Sequence, residues 1–310
     1  MGGAKAAHPD HARYTYPMEK LVSAALARAT AAVAAADGIL IGAGAGMGVD
    51  SGLPDFRGAE GFWQAYPRYA DLGLDFPALA NPRWFHKDPE LAWGFYGHRL
   101  QLYRDVVPHA GFAQLLLWAR QRRYGAAVFT SNVDGQFHKA GFAASGIPIY
   151  ECHGSIHLLQ CLRECGIGLV PADGVTVKIS EQTLRAEPPL PSCPRCHGLL
   201  RPSILMFGDA GWDSRNSDAQ EEKLQAWLSK VAAAGARTVV IECGAGLHVP
   251  TVRWFCAESA RRLRAPLLRI NPREAIADGG GYEHIALPLG AAAALRRIAD
   301  PPEPPQVAPL

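Results

Sequence analysis

Residues 39–48 read Ile39-Leu40-Ile41-Gly42-Ala43-Gly44-Ala45-Gly46-Met47-Gly48. Three consecutive large apolar residues predict a short strand buried on both faces, because a strand with one wet face would alternate. The glycines that follow end it in a turn where backbone amides can approach a ligand closely, as α/β proteins do around a pyrophosphate. The spacing is not G-x-G-x-x-G, and no acidic residue follows at the expected distance on a second strand. The ordinary dehydrogenase reading is therefore weak.

Upstream, residues 17–36 are Ala-rich, with Leu21, Ala24, Ala25 and Arg28 at helical spacing and Asp37-Gly38 as a stop. The first 16 residues lack periodicity and are expected to be a tail. Downstream, short apolar runs recur at 126–129, 147–150, 238–241, 267–270 and 284–287, with helical patterns between several of them. In residues 220–234, Leu224, Trp227, Leu228 and Val231 fall at i, i+3, i+4, i+7. Strands alternating with helices predict a doubly wound, parallel, Rossmann-like α/β sheet spanning residues 17–299. Residues 300–310 are a Pro-rich tail.

Two stretches break the alternation. Residues 62–103 are crowded with aromatics and predict a helical insertion, about 59–108, over a pocket; for any single aromatic the alternative is a place in the insertion's own core. Residues 161–196 hold two Cys pairs in a Val- and Pro-rich segment, predicting a module of about 157–202. Both are excursions from one sheet, together making a smaller second domain.

The chain of 310 residues is 48% apolar and 19% charged, which excludes disorder, collagen and coiled coil. Thirty-one basic residues against 29 acidic ones leave a net charge of +2, no footprint for nucleic acid or an anionic membrane. A small or peptidic partner is expected. Seven Cys, an odd number, argue for a reducing compartment, and the cytoplasm fits. No signal peptide or membrane span is expected.

Cys161-x3-Cys165 and Cys193-Pro194-Arg195-Cys196 are separated by 27 residues. Two such pairs converging as four thiolates would make a closed, structural zinc site, with His157 or His197 as alternative ligands. Cys152, Cys243 and Cys256 are expected to be packed thiols, although Cys152, beside His153, is expected to be sensitive to oxidation or alkylation.

After the Gly turn comes Asp50-Ser51-Gly52-Leu53-Pro54-Asp55-Phe56-Arg57-Gly58, where Arg57 would suit phosphate and Phe56 a ring or sugar face. Gly44-Ala45-Gly46 through Arg57 resembles the signature of the sirtuins, NAD-dependent protein deacylases. Thr130-Ser131-Asn132-Val133-Asp134, Cys152-His153-Gly154-Ser155, Phe207-Gly208-Asp209 and Ile270-Asn271 resemble further sirtuin motifs, in the family's order. Gly244-Ala245-Gly246-Leu247 resembles its adenosine-side turn.

The resemblance implies an NAD-dependent protein-lysine deacylase that releases nicotinamide and O-acyl-ADP-ribose from NAD and an acylated lysine. An ADP-ribosyltransferase or NAD glycohydrolase on the same scaffold is the alternative. His153 would be the general base; Asn132 and Asp134 would position the nicotinamide end and the ribose. Gly44, Ala45, Gly46, Asp55, Phe56 and Arg57 would surround the cofactor, with Gly244, Gly246 and Asn271 at the adenosine half. The alternatives are a strand-to-helix turn for Gly244 and Gly246, and a helix cap for Asn271 before Pro272. Peptide would pair with main chain near residues 207–209. Branches that remove acidic acyl groups place a Tyr and an Arg in the acyl wall, and Tyr66, Arg68 and Tyr69 are candidates. The chain departs from the family in having Gly48 for Ser, Ser131 for Gln and Asp209 for Glu.

Overall fold

A computed structural model describes residues 11–54, 73–276 and 280–300, with side chains from residue 19 onward. Asp55, Phe56 and Arg57, the candidates Tyr66, Arg68 and Tyr69, and residues 301–310 lie outside the described residues.

Helix α1 (His11–Ala35) begins inside the stretch expected to be a tail, which corrects that boundary. Missing apolar periodicity removes a packing face; it does not remove helix propensity. Strand β1 (Gly38–Ala43) follows, fully buried. The first insertion then supplies α2 (Phe76–Leu79), α3 (Arg83–Lys87) and α4 (Pro89–Asp105), the last two residues apart from α3 and started by the Asp88 carboxylate, which accepts from Leu91 N. The chain returns to the sheet through α5 (Ala110–Arg120), β2 (Ala126–Thr130), α6 (Gln136–Lys139) and β3 (Ile149–Glu151).

The second insertion runs through β4 (Gly154–Cys161), β5 (Val170–Pro171), β6 (Lys178–Ile179), β7 (Ala186–Glu187) and β8 (Leu200–Ile204). Helix α7 (Arg215–Ala233), β9 (Thr238–Cys243), α8 (Thr251–Leu263), β10 (Leu267–Ile270), β11 (His284–Leu287) and α9 (Ala291–Ala299) complete the fold. Helix α7 starts earlier than its apolar pattern shows. Its first turns are anchored by polar bonds instead, Ser217 Oγ to Glu151 O and Gln220 Oε1 accepting from Glu151 N.

Six parallel strands lie in the order β11-β10-β9-β1-β2-β3. The chain therefore leaves β1 in one direction and resumes at β9 on its other side. The carboxyl ends of β1 and β9 form the switch point, where such sheets open a crevice. Ile39 and Ile41 pack on the side of α1, α5 and α9; Leu40 packs on the side of α7 and α8. Each face is thus covered, as the unalternating sequence requires.

The two insertions share one core. Trp93, Phe95 and Tyr96 of α4 pack with Ile156, Leu159, Cys161, Cys193 and Leu200 of the cysteine module, and Trp93 Nε1 donates to Leu200 O at 2.9 Å. The smaller second domain is this joint cluster, sitting over the switch point.

Candidate active site and metal centre

Two glycine turns meet at the switch point. Gly46 N donates to Gly244 O at 3.0 Å, and a Cβ on Gly244, whose φ is +64°, would lie 2.3 Å from Gly46 C. Glycine is required here by the approach of one backbone to the other. Gly44, Ala45, Gly244, Ala245 and Gly246 line a cavity of about 860 Å³ that runs from the switch point to the second domain. Gly46 supports this wall from behind. Gly44, Gly244 and Gly246 are thus brought together on one wall of the cavity, and the alternative reading of Gly244 and Gly246, a strand-to-helix turn, fits the same geometry.

The end of β2 is tied to β1. Thr130 Oγ1 donates to Ala43 O and accepts from Asn132 N, while Asn132 Nδ2 donates to Gly44 O at 3.0 Å. Ser131, Asn132 and Asp134 are thereby presented to the cavity. Asp134 Oδ1 accepts from Gln136 N at 2.9 Å, and the His157 ring donates to Asp134 O at 3.0 Å. Burial pushes the Asp134 carboxyl up to about 6, against the pull of the Gln136 amide and the Arg99 charge.

His153 lies in the turn from β3 to β4 and also faces the cavity. Burial holds its imidazole below the ordinary histidine value; a backbone hydrogen bond at Ser131 opposes this. Gly154 next to it has φ +77°, and a Cβ there would lie 2.2 Å from Ser203 O, so the turn that aims His153 needs glycine. A neutral imidazole facing the same cavity as a buried carboxyl is equipped to take a proton from a sugar hydroxyl. Burial pushes the Cys152 thiol up to about 12, which opposes the thiolate that the expected sensitivity to oxidation or alkylation would need.

Asn271 does not line the cavity. It is fully buried, with Nδ2 donating to Ala245 O and Oδ1 accepting from Arg273 N and Glu274 N. The structure favours the cap reading: Asn271 braces the Gly244 turn from beneath.

The floor of the second domain adds residues that sequence reading missed. Tyr96, Arg99 and Tyr103 line the cavity from α4, at i, i+3 and i+7 on one face. Arg99 is 5% exposed, and its Nε and Nη2 donate to Tyr103 Oη at 3.0 and 2.7 Å. Its guanidinium lies 5.1–5.8 Å from the ring centroids of Phe76, Phe95, Tyr96 and Tyr103. The three-residue spacing of Tyr96 and Arg99 was the available signal.

The opposite lip runs over residues 205–209. Phe207 N donates to Ala80 O and Phe207 O accepts from Asn81 Nδ2, so this residue's main chain is already paired with the helical insertion. The expectation of main-chain pairing with peptide near residues 207–209 thus does not find free main-chain groups at Phe207. Behind the lip, Asp209 and Arg201 form a bidentate pair at 2.6 and 2.8 Å, with side chains 1% and 2% exposed. Asp209→Ala, which leaves Arg201 charged and buried, is expected to lower unfolding free energy by about 3–5 kcal/mol in urea titration. A loss under 1 kcal/mol would remove the pair from any structural role.

In the cysteine module, Cys161, Cys165, Cys193 and Cys196 bring their sulfurs within 4.8 Å of one another, with Cys161–Cys196 at 3.5 Å and Cys165–Cys193 at 3.6 Å. Four thiolates at Zn–S distances of ~2.3 Å in a tetrahedron would be ~3.8 Å apart, so the set fits zinc in a closed structural site. His157 and His197 are not in this cluster. Metal analysis is expected to return one zinc per chain, and Cys193→Ser to cost at least ~3 kcal/mol of stability, read as a melting point lower by ~6–12 °C. A metal-free protein with an unchanged melting point would refute the site.

Comparison with known proteins gives a consistent result. The model of the Sir2 family matches residues 44–240. Over 202 residues the chain is 33% identical to the NAD-dependent protein deacylase sirtuin-5, mitochondrial, of Danio rerio, covering 60% of this chain and 62% of that protein. It is 34% identical over 170 residues to an NAD-dependent protein deacylase of Aeropyrum pernix, covering 54% and 58%. With NAD-dependent protein deacylase 2 of Pyrobaculum aerophilum the identity is 30% over 232 residues, covering 74% and 77%. The first two matches thus span less than two thirds of those relatives. Among solved structures, a Sir2 homologue–ADP-ribose complex aligns with a TM-score of 0.62 at 22% identity, over 88% of this chain and 96% of the other. A Sir2 homologue–NAD complex aligns with a TM-score of 0.60 at 23% identity, over 96% of both chains. These likenesses establish the fold.

Proposed function

Because the chain belongs to the Sir2 family, we propose that it is an NAD-dependent protein-lysine deacylase yielding nicotinamide, free lysine and O-acyl-ADP-ribose. The observation that carries this reading is a single cavity in which His153, Asn132 and Asp134 stand between the paired glycine turns and an aromatic pocket. The turns are close enough to the sheet's switch point for backbone to hold a pyrophosphate. NAD, when bound, supplies the ribosyl carbon that accepts the acyl oxygen.

The protein's own groups do the rest. Asn132, fixed through Gly44 O, orients the nicotinamide side, and Asp134 holds the ribose face. His153 takes the proton of a ribose hydroxyl so that the hydroxyl can attack the activated acyl carbon.

We further infer that the acyl group is acidic. Arg99 brings a positive charge to the α4 wall of the cavity, in company with Tyr96 and Tyr103, and a carboxylate at the end of an acyl chain fits that charge. A reducing compartment such as the cytoplasm is proposed from seven thiols, none in a disulfide. No described helix is long and apolar enough to cross a membrane.

The test is incubation with NAD and acetyl- or succinyl-lysine peptides, with products followed by mass spectrometry. Deacylation predicts O-acyl-ADP-ribose in proportion to free lysine. Nicotinamide release that is independent of peptide, without O-acyl-ADP-ribose, would instead support the glycohydrolase reading.

A further inference from the structure

His109 is absent from the motifs and from the cavity wall, yet it makes three bonds where the cofactor-side turn leaves the sheet. It is the N-cap of α5: its Nδ1 accepts from Gly111 N at 3.0 Å. Its Nε2 lies 2.9 Å from Met47 O, and its backbone N donates to Ser51 Oγ at 2.9 Å. A ring nitrogen facing a backbone N–H must be bare, and one facing a carbonyl must carry the proton. The hydrogen-bond pattern thus specifies one tautomer, neutral and protonated on Nε2.

Met47 is fully buried and transmits this anchoring. Met47 N donates to Gly44 O, Gly48 N to Ala45 O and Leu53 N to Gly48 O, so residues 44–53 form one bonded unit. Gly44, Ala45 and Leu53 of that unit line the cavity. The ring has little room to move: it packs on Phe112 with centroids 5.0 Å apart, and a Cβ on Gly111 would lie 2.5 Å from its Cε1.

We propose that His109 is a positioning residue for the nucleotide side of the cavity, and that protonation of its ring releases residues 47–51 and weakens nucleotide binding. A proton on Nδ1 would point at the Gly111 N–H, breaking the cap and setting a cation at the positive end of α5; the ring must then move away from Gly111, and Met47 O, still bonded to Nε2, is carried with it out of register with residues 44–53. Burial also favours the neutral ring. The Met47 bond and Asp50, the charged side chain that faces it, act in the opposite direction. Asp50 is itself engaged, accepting from Ala292 N at the start of α9. Because the neutral form is favoured on folding, its contribution is complete above the ordinary histidine value and is lost as pH falls through the lower, native one.

The inference rests on reading this cavity as a nucleotide site. The test is calorimetric titration of ADP-ribose into wild-type protein and His109→Asn at pH 7.5 and 5.5, with circular dichroism as the check on folding. Asparagine can still cap α5 but carries no titratable proton. At pH 7.5 the variant keeps the cap but loses the bond to Met47 O, and is expected to bind ADP-ribose about three- to tenfold more weakly than wild type. As pH is lowered from 7.5 to 5.5, towards and through the depressed histidine value, wild type is expected to lose more affinity than the variant, because only wild type carries a ring that must be neutral to bind. His153 and Asp134 titrate in both proteins, so the difference isolates His109. Equal acid losses would overturn the proposal while leaving the nucleotide site intact. Failure of wild type to bind ADP-ribose at either pH would overturn the reading of the cavity, and this proposal with it.

Discussion

His153→Ala is expected to lower the rate of deacylation by about 10²–10⁴-fold while changing ADP-ribose affinity by no more than about threefold. The imidazole faces the cavity from a turn that only glycine at position 154 can make, so its aim is set by backbone and not by neighbouring side chains. Burial keeps it neutral at physiological pH, which is the state a base requires. The rate should therefore be flat near neutrality and fall as pH drops through the lowered histidine value. Asp134, pushed up to about 6, is expected to lose its charge over a neighbouring range and steepen the acid limb. Both effects are read from kcat against pH with NAD saturating. His153→Gln, which keeps polarity without basicity, should be as inactive as alanine. Residual activity within tenfold of wild type would assign the proton transfer to another group.

All six strands of the main sheet were legible, because parallel strands covered on both faces leave unbroken apolar runs such as Ile39-Leu40-Ile41 and Thr238-Val239-Val240-Ile241. The four cysteines were legible from spacing, since a metal imposes its geometry on short turns. Features set by tertiary polar bonds were not. The start of α7 depends on Ser217 and Gln220 reaching Glu151, and the burial of Asn271 depends on Ala245 O; neither leaves a periodic trace. Arg201 and Asp209 are eight residues apart, and a sequence cannot say that a β-strand arginine turns inward to meet a lip carboxylate. His109 reads as an ordinary helix cap until Met47 O is found on its other nitrogen. In each case the missed information is which polar atom a buried group meets, a property of the folded chain that periodicity and composition do not encode.

Arg99→Met is expected to reduce kcat/KM for a succinyl-lysine peptide by at least about 100-fold and to leave that for an acetyl-lysine peptide within about threefold. The guanidinium is buried, bonded to Tyr103 Oη and surrounded by the rings of Phe76, Phe95, Tyr96 and Tyr103 at cation–π distance. Methionine fills much of the same volume without the charge, and thermal melting checks that the variant is folded. Arg99 lines the cavity, so its charge is placed where the end of an acyl chain would lie. A charge-assisted pair in this setting is worth about 3 kcal/mol, which is the source of the 100-fold figure. Burial keeps the Tyr96 phenol protonated, so it remains a donor to the same carboxylate. Arg99→Lys is expected to recover little, because the fork that meets Tyr103 Oη through Nε and Nη2 is lost with the guanidinium. Tyr103→Phe should have a smaller effect on succinyl turnover, about three- to tenfold, by loosening the guanidinium without removing it. An unchanged ratio of succinyl to acetyl activity in Arg99→Met would show that the charge does not read the acyl chain, and would leave the deacylase reading resting on His153 and the nucleotide side alone.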